Sequence, residues 1–414
     1  MALSPMDAYP SQIDTTDPTY PWGKARNRST PSDFDGTPWE QAIVNDFLGA
    51  QQALLVDTDD EPTGTPDRAG TSQYLNAQKR LDTEAAMRHT FASLLSEFES
   101  INVGSIGTFV LGIATYTHTS GVLAGTTFVV AVAADGLIRY SLDGGETWAG
   151  ATHVPTDVIR HVVEGGGYFW AITDEGGVSR APVTDPSTFT AITTTIGSVQ
   201  LFGGVYNELQ GWLVVVGAGG GIWTGEAGAY VSRTSGSSEA LRATDIDGNA
   251  TTVMACGGTD IVRSEDGGAT WTRVFNAGTG LRDITCDIAT GWWFAIGDSG
   301  LHISKDNGDT WTTQAATPGS GVRGVLGTLA TFHSENTSGF GNRIRLLSRN
   351  ALSGGDEFTG DITWRSAEDE VTRSHPVHFD VSRGQFWIVG FEQNTVWRSK
   401  RAPYIARRAQ LQQW

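Results

Sequence analysis

The pattern Ser-x-Asp-x-Gly-x-Thr-Trp occurs three times, as SLDGGETW (141–148), SEDGGATW (264–271) and SKDNGDTW (304–311). No other feature limits the fold as tightly. Each fixed residue has a part in a tight reversal between two strands. Gly145, Gly268 and Gly308 supply the conformation that the reversal requires. The side chains of Asp143, Asp266 and Asp306, with Ser141, Ser264, Ser304, Thr147, Thr270 and Thr310, can satisfy backbone donors inside the turn. Trp148, Trp271 and Trp311 seal each hairpin against a neighbouring strand. Where the octapeptide has decayed, the strand leading into it persists. A turn, a short alternating run and a Ser recur as DGLIRYS (135–141), GGVS (176–179), AYVS (229–232), TDIVRS (259–264), SGLHIS (299–304), NRIRLLS (342–348) and NTVWRS (394–399).

Those serines lie 32 to 53 residues apart and 43 on average, the length of a four-stranded propeller blade. Upstream of most stands an apolar strand ending in small residues: FVVAVAA (128–134), YFWAI (168–172), WLVVVGA (212–218), VMACGG (253–258), WWFAIG (292–297) and FWIVG (386–390). Their Ala and Gly suit innermost strands crowded near a central channel. The copy near GVLGTLATF (324–332) is the weakest. The fold class expected is mainly β, a seven-bladed β-propeller over 101–400, with six or eight blades left open. An open ring would leave two bare strand edges. The first strand, around SIGTFVLGIATY (105–116), is therefore expected to complete the last blade.

The composition agrees. Gly (52) and Trp (14) are abundant in a chain of 414 residues, as expected of many short strands joined by tight turns. A net charge of −18 argues against nucleic acid as a partner. Cys256 and Cys286 both sit in apolar runs, so no disulfide framework is expected, which fits assembly in a reducing cytosol. No apolar run approaches the roughly 18 residues of a membrane span, and MALSPMDAYP has neither the basic nor the apolar part of a signal peptide.

The first hundred residues differ. Residues 1–36, rich in Pro, Thr, Asp and Tyr, read as an extended arm. Thr37-Pro38 makes a helix start, because Pro costs no hydrogen bond at the first helical position. Trp39, Ile43, Phe47 and Leu54 then fall along one face. After an interruption at 57–70, a second helix is expected over about 71–99. The last fourteen residues, RAPYIARRAQLQQW, are locally basic and form a tail.

Two resemblances add to this reading. The three octapeptides resemble the Asp boxes of sialidases and other BNR-repeat propellers. That resemblance covers about 300 residues and implies a fold more than an activity. A sialidase would carry a Phe/Tyr-Arg-Ile-Pro segment near its first blade, and this chain has none; RAPY (401–404) has the wrong order and lies at the wrong end. In such propellers the boxes sit on the outer rim, so Asp143, Asp266 and Asp306 are expected to be turn builders and not catalytic groups. The N-terminal runs DGTPW (35–39), VNDFLGAQQALL (44–55), TGTPD (63–67) and SQYL (72–75) resemble the opening of phage tail-fibre and tailspike proteins. By that resemblance Trp39, Val44, Asn45, Asp46, Phe47, Gln51, Gln52, Leu54 and Tyr74 would anchor the chain to the virion. Its partners would be other tail or portal proteins. Fibres of this kind are usually trimers, so a homo-oligomer is expected, although assembly around a portal could impose six or twelve copies.

Other chemistry finds little support. HPVHFD (375–380) brings His375, His378 and Asp380 together, but on a strand only 378 and 380 share a face. DTDDE (57–61) begins like a calcium loop and fails, with Pro62 at the turn glycine and Arg68 at the closing Glu. VEGGGY (163–168) and GAGGGI (217–222) fall at repeat turns with no helix after them, unlike phosphate loops. No zinc spacing, nucleophile elbow or P-loop is present, and no cofactor is expected. Arg398, Lys400, Arg401, Arg407 and Arg408 form one basic cluster. The expected function is a non-enzymatic component of a tailed phage virion, assembled in the host cytoplasm. Its propeller would be displayed for host-surface glycan or receptor binding, or for tail architecture. The alternatives are a glycan-cleaving, sialidase-like enzyme and a cellular assembly factor built on BNR repeats.

Overall fold

The computed structural model describes Ile13–Asp14, Thr16, Lys24–Ala25 and most residues between 98 and 401. The chain divides into two compact units, Met1–His89 and Thr90–Trp414. In the first unit β1 (Ile13–Asp14) pairs antiparallel with β2 (Lys24–Ala25), and Thr16 donates from its amide and hydroxyl to Asp14 Oδ1 at 2.8 and 2.6 Å. This short ladder interrupts the stretch expected to be an extended arm. The helices expected over 37–54 and 71–99 lie outside the described residues, as do Trp39, Val44, Asn45, Asp46, Phe47, Gln51, Gln52, Leu54 and Tyr74. Phe98 and Glu99 are the exception and correct the helix boundary, because they belong to strand β3 (Phe98–Asn102).

The second unit is a β-propeller built of up-and-down sheets. The first sheet holds β4 (Val110–Thr117), β5 (Thr127–Ala133), β6 (Ile138–Ser141) and β7 (Ala149–Gly150) in that order. In the second, β8 (Thr152–His153) pairs in parallel with the outer strand of a meander of β9 (Ile159–Gly165), β10 (Tyr168–Thr173), β11 (Val178–Pro182) and β12 (Thr188–Ile192). The third holds β13 (Leu201–Asn207), β14 (Trp212–Gly217), β15 (Ile222–Gly225) and β16 (Val231–Arg233). The fourth has six strands: β17 (Ala243–Ile246), β18 (Val253–Ser264), β19 (Thr272–Asp287), β20 (Trp292–Gly297), β21 (Gly300–Ser304) and β22 (Thr312–Gln314). The fifth holds β23 (Gly321–Val325), β24 (Thr328–His333), β25 (Asn342–Ser348) and β26 (Ile362–Trp364). The sixth is β27 (Val377–Asp380), β28 (Gln385–Val389), β29 (Thr395–Ser399) and, on its outer edge, β3.

Five sheets of four or five strands therefore stand as separate blades, in place of the seven expected. The difference lies in the fourth sheet. There β18 and β19 are long, and their register passes from Asp260 opposite Asn276 to Gly258 opposite Leu281. The pairing shifts register there but carries on along the same two strands, so the octapeptides at 264 and 304 share one sheet.

The leading strands β4, β9, β13, β17, β23 and β27, joined by β19 from the middle of the fourth sheet, pack each beside the next in chain order, and β27 returns to β4. They line the axis of the ring. The apolar runs expected to be innermost instead follow a strand of the axial row: β5 and β14 are second in their sheets and β20 comes next after β19, and all three are buried along nearly their whole length. A second strand is covered by a sheet on both faces, so it loses the alternation of a half-exposed strand. Around these strands the buried apolar residues gather into separate clusters, several of which span two neighbouring sheets, and Trp170, Trp293 and Trp387 are fully buried. One repeat marker is also corrected. AYVS (229–232) runs into the fourth strand of its sheet, and the third strand is Ile222–Gly225.

Closure uses the strand before the one expected. Val110–Thr117 leads the first sheet, and Phe98–Asn102 completes the last, Phe98 opposite Ser399 and Asn102 opposite Thr395. Arg398 fixes this joint. The residue is 6% exposed; its guanidinium donates to Glu99 and to the Gly144 carbonyl at 2.7 Å and forms an ion pair with Glu146 at 3.0 Å. Strand β3, the last blade and the first sheet therefore share one cation. Val103 is fully buried beside them, and its amide donates to the Asn394 carbonyl at 2.8 Å. Replacing Arg398 by Leu is expected to lower the free energy of unfolding by about 2–4 kcal/mol, because three acceptors lose one buried donor; a urea titration measures the loss.

Candidate functional site

The most regular side-chain constellation is the Ser-Asp turn. Ser141 Oγ donates to Asp143 Oδ1 and accepts from the Gly145 amide, both at 2.7 Å. The Asp143 carboxylate accepts from the Thr147 amide at 2.9 Å and the Thr147 hydroxyl at 2.6 Å. Trp148 Nε1 closes the turn on the Gly145 carbonyl at 3.0 Å. The same bonds join Ser264, Asp266, Gly268, Thr270 and Trp271, and Ser304, Asp306, Gly308, Thr310 and Trp311. All fifteen residues therefore sit where the turn needs them. The glycine three residues before Trp has φ of 94°, 104° and 89° in the three copies. A Cβ there would stand 2.5 Å from Trp387 at position 145 and 2.5 Å from Met254 at position 308.

These turns also join sheets. The carbonyl after each Asp accepts from donors that lie outside its own turn. Gly144 accepts from Arg383 at 2.9 Å and from Arg398. Gly267 accepts from Asn207 at 3.1 Å and Trp212 at 3.0 Å, across from the third sheet. Asn307 accepts from Arg263 at 2.6 Å. The third sheet lacks the octapeptide; there Glu226 of the β15–β16 turn pairs with Arg180 of the second sheet at 3.7 Å. Sequence reading passed over Arg180, Arg263 and Arg383 and placed Arg398 in a basic tail cluster, although VRS (262–264) and WRS (397–399) each set an arginine one residue before the marker Ser.

A second polar group lies on the leading strands. Asp245 Oδ2 of β17 accepts from the Thr285 hydroxyl at 2.9 Å and the Cys286 amide at 3.1 Å, and Arg323 of β23 stands 3.4 Å from it. His378 Nε2 meets Thr115 Oγ1 at 2.9 Å, and Ser382 bridges Asp380 and Thr117. His378 and Asp380 thus face β4 together, as their spacing predicts, while His375 lies outside the described residues. Burial and then the Arg323 charge push the His378 imidazole well below its usual range, so it is a neutral hydrogen-bonding group. Burial raises the Asp380 carboxyl. Among the described residues no group of three or more His, Cys, Asp or Glu side chains has the arrangement of a metal site. Cys256 and Cys286 are buried free thiols, both raised by burial. The glycines of VEGGGY and GAGGGI stand at the β9–β10 and β14–β15 turns, and DTDDE lies outside the described residues. Arg398 belongs to the closure, and Lys400 and Arg401 are exposed.

No family model matches the sequence, and neither does any curated protein. Solved structures match the fold. A catalytically inactive virginiamycin B lyase from Staphylococcus aureus with quinupristin aligns with a TM-score of 0.56 at 11% identity, over 73% of this chain and 99% of that one. The WD40 repeats of RRP9 align with a TM-score of 0.56 at 11% identity, over 74% and 98%. YCF48 bound to D1 peptide gives 0.50 at 13% identity, over 73% and 94%. At such identities the likeness is to the β-propeller fold alone.

Two titrations test the electrostatics. Burial acts to raise the Asp266 carboxyl but is outweighed by bonds from Thr270 and Ser264, leaving it below its usual range. It thus contributes stability that is present above about pH 4 and lost as the pH falls through the lowered value. Asp266→Asn should cost about 1–2 kcal/mol at pH 7 and less at pH 3, as read from urea midpoints. Glu164 runs the other way: burial and then Glu208 raise it to about 7. Its contribution is full below the usual carboxylate range and is lost as the pH rises through 7. Glu164→Gln should therefore flatten the fall in stability between about pH 5 and 8.

Proposed function

We propose that this chain is a non-enzymatic component of a tailed-phage virion, in which the first hundred residues attach to the tail or portal and the propeller is the displayed module. The observation that carries the reading is the N-terminal sequence. DGTPW, VNDFLGAQQALL, TGTPD and SQYL stand in the order found in tail-fibre and tailspike openings. The separation of Met1–His89 from the propeller as a compact unit supports a division between attachment and display. In that division the Ser-Asp turns serve the fold, in keeping with their resemblance to Asp boxes. Host-surface glycan or receptor binding, or tail architecture, is then the task of the propeller's outward surfaces, and several copies assemble on one particle.

Residues 1–100 used as bait should retain tail or portal proteins from phage-infected cells, and a bait that retains none sinks the attachment half. Incubating the whole chain with host polysaccharide should release no oligosaccharide; sugar release measured by chromatography would replace the structural reading with a glycan-cleaving one.

A further inference from the structure

Each Ser-Asp turn is tied to a neighbour through a backbone carbonyl. Gly144 of the β6–β7 turn accepts from Arg398, and Asn307 of the β21–β22 turn accepts from Arg263. The β15–β16 turn lacks the octapeptide, and its joint with the second sheet is made differently. There the Thr195 hydroxyl donates to the Tyr230 carbonyl at 2.6 Å. A threonine thus supplies the bond that an arginine makes elsewhere, and Arg180 of β11, which faces this turn, is released from it.

Among the described residues the Arg180 guanidinium has one ion-pair partner, Glu226 at 3.7 Å, and no hydrogen bond. It lies instead over two rings, 4.1 Å from the Tyr168 centroid and 5.0 Å from a Trp170 centroid. Trp170 stacks in turn on Tyr206, with centroids 5.7 Å and planes 21° apart, and its indole donates to the Gly165 carbonyl at 2.9 Å. Trp170 is fully buried and Tyr206 nearly so. The floor under Arg180 is therefore packed and preformed, the condition under which a polar group can be held ready for a ligand.

The outer side of this joint is open. The Arg180 side chain is 24% exposed and that of Glu226 46% exposed. Glu208 stands exposed in the β13–β14 turn, its carboxylate held by the Gly166 amide at 2.8 Å. Glu226, Glu208 and Arg180 all act on the Tyr206 hydroxyl, so the three charges surround one place. Beside them Tyr230, 6% exposed, has a buried hydroxyl with no hydrogen-bond partner. Polar groups at this joint outnumber the bonds they make with one another.

The mixture of charges selects the occupant. An anion would face Glu226 and Glu208, and a cation would face Arg180. An uncharged polyol meets neither repulsion, because each of its hydroxyls both accepts and donates. Neighbouring hydroxyls of one sugar ring can then use the guanidinium and the carboxylate together, and the half-buried Tyr168 offers apolar contact beside them.

We propose that Arg180 and Glu226, on the aromatic floor of Tyr168 and Trp170, bind an uncharged hexose unit of a host-surface glycan. The guanidinium donates to the sugar hydroxyls and the carboxylate accepts from them. The origin of the glycan rests on the virion reading above, whereas the sugar chemistry rests on the joint itself.

Isothermal titration calorimetry of the full chain with maltotetraose, cellotetraose and mannotetraose should find binding to at least one of them. Arg180→Gln and Glu226→Ala should each weaken that binding by about tenfold or more, since each removes a charged hydrogen-bond partner. Glu226 is exposed, so its variant separates loss of binding from loss of folding. Glu265→Ala, in the β18–β19 turn where the neighbouring Arg263 is already bonded to Asn307, should leave the affinity unchanged. Binding of none of the three sugars overturns the proposal, as does binding that Glu226→Ala leaves intact or Glu265→Ala weakens equally. Tighter binding of tetragalacturonate overturns the choice of an uncharged occupant. The bait experiment reads the virion assignment on residues 1–100 alone, so a failure there and a failure here are told apart.

Discussion

The pairing of β3 with β29 joins residues almost three hundred positions apart, Glu99 meeting Arg398 across a separation of 299. Every other sheet of the propeller is a local meander that can form from neighbouring residues. The last sheet cannot finish until the strand that precedes the whole ring returns to it. Loop-closure entropy makes such a contact late and slow to form. Its placement at one joint also concentrates polar chemistry there. A buried guanidinium satisfies two carboxylates and a carbonyl at once, and the Ser382–Thr117 and His378–Thr115 contacts occupy the same seam nearer the axis. The ring is thus held shut by directional bonds at the boundary where chain connectivity cannot help.

Elsewhere adjacent elements are already tied by short connections, and the bonds across them are lighter. Gly267 is met by an amide and an indole, and Asn307 by one arginine within the six-stranded sheet. In each case the Ser and Asp side chains shape a turn whose free carbonyl points outward to a waiting donor. The octapeptide therefore does two things. It reverses the chain, and it presents a backbone acceptor at a fixed place. Packing supplies the bulk of the cohesion, since inner strands such as β14 and β20 are buried on both faces.

Much of the fold was legible because its repeat is written in residues with few substitutes. Only Gly fits at 145, 268 and 308, and only a short acceptor side chain spans the turn as Asp143 does. The blade count was less legible. Continuity of β18 through Gly257-Gly258 is a matter of hydrogen-bond register, which no side-chain pattern reports. The marker Ser232 misled for a similar reason: IWTG at 222–225 makes a third strand without any serine at its end. Phe98 and Glu99 were read as the close of a helix because SLLSEFE (93–99) carries a helical period, and pairing with β29 overrides that local preference. Arg263 and Arg398 were visible in sequence but look like ordinary surface cations until the turn carbonyls opposite them are placed.

Phe98 and Ser399 face one another as register partners, so the chain enters and leaves the propeller at a single point on its rim. Load applied between those two connections does not stretch the ring. It acts on the end of one five-residue ladder and opens it in sequence, one bonded pair after another, like a zip. The blades behind it feel little strain until Val103 is drawn from its pocket. A molecule tethered at that point has a built-in weak link in one direction and a rigid body in every other.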